Sequence, residues 1–134
     1  MLKRQIINKY LGRKYDKKTF HCGSLIGAIY EDFGFTVRGC EVEIYDSKWS
    51  FKDGINYFAE RFDDGWIEVK EPKLLDVVLI DNGKDAPCHG GVMLDNDSFI
   101  HCSRQGVVVN RVSDKPFRDS IFGYYRLQAR SNND

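Results

Sequence analysis

The sequence predicts an α+β domain in which N-terminal helices pack on a small antiparallel β-sheet. Three observations lead there. The first third of the chain carries apolar side chains at helical spacing. Beyond Pro72 it breaks into short β-rich runs separated by turn residues. No repeat, low-complexity tract or linker interrupts its 134 residues, so one domain over 1–134 is expected.

Taken in order, Leu2, Ile6, Ile7, Tyr10 and Leu11 form a helical stripe ended by Gly12, and "GRKYDKKTF" reads as a loop. From Cys22 the apolar positions Leu25, Ile26, Ile29, Tyr30 and Phe33 bury one face of a second helix, closed by Gly34. A helical insertion is expected at about 40–70, where Phe51, Ile55, Phe58, Ala59 and Phe62 share a face behind Ser50 as N-cap. "GWIEVKEP" alternates as a short strand. "LLDVVLID", "HGGVMLD", "SFIHCS", "GVVVNRV" and "IFGYYRL" then read as strands, divided by turn signals such as "DNGKDAP" and "DND".

A chain 42% hydrophobic and 30% charged has the balance of a globular domain. Twenty basic and twenty acidic residues cancel, which leaves no electrostatic footprint for nucleic acid. No run is long enough to cross a bilayer, so no membrane partner is expected. The start, "MLKRQIINKYLGRKYDKK", lacks the apolar core of a signal peptide, so synthesis in a cytoplasm without export by the usual route is expected. In that compartment the four cysteines stay reduced, and no C-x-x-C pair suggests a redox motif or a zinc ribbon.

Each of the three histidines has a cysteine neighbour: His21-Cys22, Cys88-His89 and His101-Cys102. Metal site, catalytic site and coincidence all fit that pattern. Along a strand the side chains alternate, so Cys88 cannot point where His89 points, nor Cys102 where His101 points. His89 and His101 are twelve apart across the "LDNDS" turn; an even register puts both imidazoles on one face, and a one-residue slip turns one of them away. Val92, Leu94 and Ile100 then face a core on the other side, with Cys88 and Cys102 as small packing residues. Gly90 and Gly91 leave room for something to approach, and Cys22 is the candidate. A cysteine in the first turn of a helix sees the positive end of the helix dipole, and an imidazole in reach would make it a nucleophile. His21 reads as an exposed neighbour that could line the cleft. Cys40 is a loop thiol, Trp49 and Trp66 are core or rim aromatics, and Asp63-Asp64 is a solvated turn.

At these residues the chain resembles the NlpC/p-sixty family of papain-like cysteine peptidases, over roughly 12–127. The family's "D-C-S-G-[LF]-V" helix start stands here as "HCGSLIGAIY", and its "G-D-[LV]-V-x-F" strand as "LLDVVLI". Its "H-[VA]-G-I-Y-x-G-x-x-x-[FM]-I-H" segment stands as "HGGVMLDNDSFIH" with the same spacing. The resemblance implies Cys22 as nucleophile, His89 as general base and His101 as the residue that orients it. Tyr15, in "GRKY", matches the family's tyrosine before the nucleophile. With His21 and Gly90 it makes up the implied substrate-binding set, and no metal or cofactor is implied.

The order of "CGSLIGAIYEDFGF", "FKDGINYFAERFDDGW" and "FGYYRL" looks most like phage tail peptidases of this type. The implied activity is hydrolysis of peptidoglycan stem peptides by a protein carried in a virion, with phage tail proteins as possible partners. Other readings are a structural tail-assembly protein without turnover, an amidase or acyltransferase of the same fold, and a zinc-binding module. The chain departs from the family pattern in four places. His21 replaces the aspartate, Gly23-Ser24 inverts the Ser-Gly, Leu75 replaces the glycine of "GD", and the W-G-G loop is absent.

Overall fold

The computed structural model describes residues 2–16, 18–35, 66–81 and 87–127. Among the described residues two α-helices, α1 (Leu2–Tyr10) and α2 (Cys22–Asp32), precede six strands. These are β1 (Trp66–Val69), β2 (Val77–Asp81), β3 (Pro87–Met93), β4 (Ser98–Ser103), β5 (Gly106–Arg111) and β6 (Ile121–Leu127). The strands form one antiparallel sheet in the order β1-β6-β2-β3-β4-β5, and α2 lies across β3 and β4. The architecture is the α+β arrangement expected. The helix expected over 51–62, with Ser50, Trp49, Cys40 and Asp63-Asp64, lies outside the described residues.

Strand alternation sorts the side chains into two clusters. Val77, Leu79, Val92, Ile100, Cys102 and Val107 face the helices. There they meet Ile6 and Tyr10 of α1 and Leu25, Ile26 and Ile29 of α2, the last three wholly buried. Each such side chain contributes about 1.5–3 kcal/mol through the surface it withdraws from water. On the reverse face Val78, Ile80, Met93 and Phe99 form a smaller cluster with Val112, Phe117, Ile121 and Tyr124. Trp66 of β1 is buried in the helix-side core, where its ring meets that of Tyr30 edge-on.

Local chemistry explains where the elements stop and how they are tied. Past α2 the chain turns at Gly34, with φ of 87°, the left-handed conformation that glycine adopts without steric cost. The Tyr10 hydroxyl donates to Oδ2 of Asp32 at 2.6 Å, which joins α1 to the end of α2. Asp76 is buried at the entry to β2, where Arg126 of β6 donates Nε to Oδ1 at 2.8 Å and Nη2 to Oδ2 at 2.7 Å. This planar fork ties two neighbouring strands, and removing the arginine would strand a buried carboxylate. Leu75, just before, has φ of 77°, so a β-carbon occupies a conformation that glycine takes freely. Two bonds hold it there: its N–H donates to the Met93 carbonyl at 2.8 Å, and its own carbonyl accepts from the Tyr30 hydroxyl.

Candidate active site

The loop between the helices decides where Cys22 stands. After α1 the chain runs beside β5: Gly12 N–H donates to the Val107 carbonyl at 3.0 Å, and Val107 N–H to the Arg13 carbonyl at 2.8 Å. A tight turn follows, closed by reciprocal Asp16–Phe20 backbone bonds of 2.7 and 2.8 Å. The Asp16 carboxylate holds it from inside, accepting from the N–H groups of Lys18 and Thr19. Such side-chain-to-backbone bonds are the reason aspartate favours turns. Phe20 is thereby set over β4, with the Cys102 thiol 3.8 Å from its carbonyl oxygen.

His21 then caps α2: Nδ1 accepts from the Ser24 N–H at 3.4 Å while the residue keeps an extended backbone. The exposed position expected for His21 is therefore wrong. It is 1% exposed, because an imidazole supplies the acceptor that serine or aspartate supplies at most helix starts.

Cys22 is the first residue of α2 and is 4% exposed, within the helix-side cluster. Four residues on and so on the same helix face, Ile26 rests on β3. Its Cδ1 lies 3.2 Å from where a β-carbon on Gly90 would stand, and Leu79 lies 3.3 Å away. Gly90 is thus covered by the helix itself, and the open approach expected at this glycine is filled by Ile26. Tyr15 is half-buried against the same cluster.

The two strand histidines meet. Nε2 of His89 lies 2.8 Å from Nδ1 of His101, with the rings at 76° to one another. Across the sheet His89 is registered with Ile80, and β3 pairs with β4 at Val92–Ile100 and Met93–Phe99. Both imidazoles therefore stand on the reverse face, as an even register requires. Gly91 makes the approach possible. A β-carbon there would sit 2.7 Å from the Ile100 carbonyl and 2.9 Å from Cβ of His101. Phe99 stacks on the His101 ring at 4.6 Å, and Phe117 meets its edge at 5.5 Å.

On its far side His101 places Nε2 2.8 Å from Oδ1 of Asn110 on β5. The sequence alone does not single out Asn110. Its one signal is a polar residue amid the β-branched run "GVVVNRV", which gains meaning only once the register of β4 with β5 is known.

Desolvation gives both imidazoles a common electrostatic character, His101 being buried and His89 partly buried. Desolvation, with a smaller contribution from the neighbouring imidazole, lowers the pKa of His89 from 6.5 to about 3. Desolvation also lowers that of His101, against the opposing bond to Asn110. Both are neutral at pH 7. Burial likewise pushes the Cys102 thiol up to about 11, as suits an inert packing residue. Neither Cys22 nor Cys102 is in a disulfide, and the side chain of Cys88 lies outside the described residues. Among the described residues no cluster of three or more histidine, cysteine or acidic side chains is placed to hold a metal ion.

The arrangement offers an ordered pair of neutral imidazoles on β3 and β4, the two strands that α2 crosses. The cysteine lies in the helix-side cluster, and the imidazoles stand on the sheet face that carries Met93 and Phe99.

No family model and no curated protein matches this sequence. Solved structures do. A protein of Staphylococcus aureus Mu50, described as similar to lipoprotein and of the NLP/P60 family, superposes with a TM-score of 0.65 at 14% identity, covering 95% of this chain and 40% of its own. An NlpC/P60 family protein of Bacillus cereus ATCC 10987 superposes with a TM-score of 0.64 at 17% identity, covering 93% of this chain and 40% of its own. This chain thus spans about two fifths of the length of either structure. Among the described residues, two α-helices on a six-stranded antiparallel sheet, with histidines paired between β3 and β4, have the fold of these NlpC/P60 structures.

Proposed function

We propose that this protein is a cysteine endopeptidase that hydrolyses peptidoglycan stem peptides, through Cys22, His89 and His101. The observation that carries the reading is the 2.8 Å contact between His89 and His101, in an NlpC/P60 fold whose α2 begins at a cysteine. In this scheme the Cys22 sulfur attacks the scissile carbonyl, His89 takes the thiol proton, and the tetrahedral adduct collapses to a thioester. The proton passes to the departing amine, and water then releases the acid and restores the thiol. Backbone N–H groups at the start of α2 are the natural donors for the oxyanion. A desolvated imidazole is a weak base until negative charge forms beside it, and proton transfer from Cys22 would create that charge. His101 holds the base in place, Tyr15 is the residue proposed to line the approach, and His21 acts from beneath as the cap that sets the start of α2. The phage-tail assignment rests on the order of sequence motifs. It puts the protein in a virion, made in a bacterial cytoplasm, with tail proteins as partners.

The test is digestion of purified peptidoglycan by the full chain, read by mass spectrometry of the released muropeptides. Cleavage at one peptide bond is expected, falling by about 10³-fold or more in Cys22→Ala and His89→Ala. Unchanged cleavage by Cys22→Ala would end the proposal, and cleavage at the sugar–peptide amide would make the enzyme an amidase.

A second reading, a tail-assembly protein that keeps the fold without turnover, is favoured by the burial of Cys22, which a peptide substrate must reach. Capture of tail proteins together with inertness towards muropeptides would select it.

A further inference from the structure

We infer that Asn110 is a positioning residue whose amide oxygen sets the direction of both hydrogen bonds running through His101 to His89. The catalytic consequence rests on the peptidase reading above, whereas the direction of the bonds does not.

The inference follows from what each atom can do. A carbonyl oxygen only accepts, so at 2.8 Å from Oδ1 of Asn110 the Nε2 of His101 must donate. A neutral imidazole carries one N–H, so Nδ1 of His101 is then an acceptor. The partner 2.8 Å from that acceptor, Nε2 of His89, must therefore donate in turn. His89 is left with its proton on Nε2 and its basic lone pair on Nδ1. Turning the Asn110 amide over would present N–H to His101 and reverse both bonds. The proton of His89 would move to Nδ1, and the base would be lost at that nitrogen.

The surroundings keep the His101 ring fixed, so proton placement is the variable that Asn110 controls. His101 is clamped between the stacked ring of Phe99 and the edge of Phe117. The pairing of Phe99 with Asn110 and of His101 with Val108 sets the amide diagonally across from the imidazole, on the same face. The neutral state of both imidazoles makes the tautomer well defined at pH 7.

The experiment uses the full chain labelled with 15N-histidine. Long-range 1H–15N correlation at pH 7 reports the tautomer of each ring in wild type, Asn110→Ala and Asn110→Asp. Alongside, iodoacetamide alkylation of Cys22 is followed by peptide mass spectrometry. Wild type is expected to show Nε2–H tautomers for His89 and His101. Asn110→Ala is expected to mix them and to slow Cys22 alkylation about three- to tenfold, the equivalent of one hydrogen bond. Asn110→Asp, which still only accepts, is expected to restore both the tautomers and the rate.

An Nδ1–H tautomer of His101 in wild type would overturn the inference. So would Asn110→Ala leaving both rings unchanged. Should the alanine variant fail to fold, wild type and Asn110→Asp still decide. If the tautomers behave as stated but Cys22 reacts as an ordinary thiol in every protein, the peptidase reading falls and the role of Asn110 stands.

Discussion

The two faces of β3 and β4 are built from alternate residues of the same strands, yet they do opposite things. Towards the helices, Gly90, Val92, Ile100 and Cys102 meet Ile26 and its neighbours in an apolar core. Away from them, His89, His101 and, on β5, Asn110 form a polar chain flanked by Phe99 and Phe117. One face supplies stability by excluding water. The other uses the same exclusion to keep two imidazoles neutral and hydrogen-bonded to each other, at a cost to stability when the pH falls. A one-residue step along a strand thus separates packing from chemistry, and substitutions on the two faces should fail in different ways.

Breaking the helix face should have the largest effect. Ile26→Ala removes a wholly buried side chain and is expected to cost about 2–5 kcal/mol in urea denaturation. The His89–His101 tautomers in the fraction still folded should stay as in wild type. A cost below about 1 kcal/mol would mean that α2 does not pack on β3 as described.

Acid should weaken the other face next. The folded-state pKa of His89, about 3, lies below its ordinary 6.5, so the unfolded chain binds the proton first. The stability tied to the neutral ring is complete above about pH 6.5, declines as the pH falls, and is gone by about pH 3. Between pH 7 and pH 5 the loss should be about 2 kcal/mol. His89→Gln should lose less over the same interval. Melting curves at several pH values test this, and equal slopes for the two proteins would remove His89 as the cause.

The finest contrast lies between adjacent glycines. Gly91→Ala forces a β-carbon against the Ile100 carbonyl and Cβ of His101, and is expected to cost about 1–3 kcal/mol. Separation of the two imidazoles should follow, visible in their NMR shifts. Gly90→Ala presses on the movable ends of Ile26 and Leu79 and touches the Val78 carbonyl at an ordinary 3.5 Å, so its cost should stay under about 1 kcal/mol. The reverse ranking would mean that the face assignment is inverted.

Much of this architecture is legible in the amino-acid sequence. The α2 stripe, the capping role of Gly34 and the run of strands after Pro72 follow from local periodicity and turn chemistry. The even spacing of His89 and His101 suggests a common face, and the register of β3 with β4 is what puts both rings on it rather than a one-residue slip that would turn one away. The burial of His21 is not legible there, since it depends on a loop that folds along β5 and on an imidazole serving as a helix cap. Nor is the conformation of Leu75, where a bulky residue holds a positive φ because Tyr30 and Met93 bond its backbone.

By itself, then, the sequence determined which residues share a helix face or a strand face, because these follow from periods of 3.6 and 2. Only the tertiary structure decided what crosses between elements: Ile26 over Gly90, Arg126 on Asp76, Asn110 behind His101. Register between strands, and the path of the loop that carries Cys22 to the head of α2, set those contacts. Both arise from many distant packing choices made together, which no short stretch of sequence encodes.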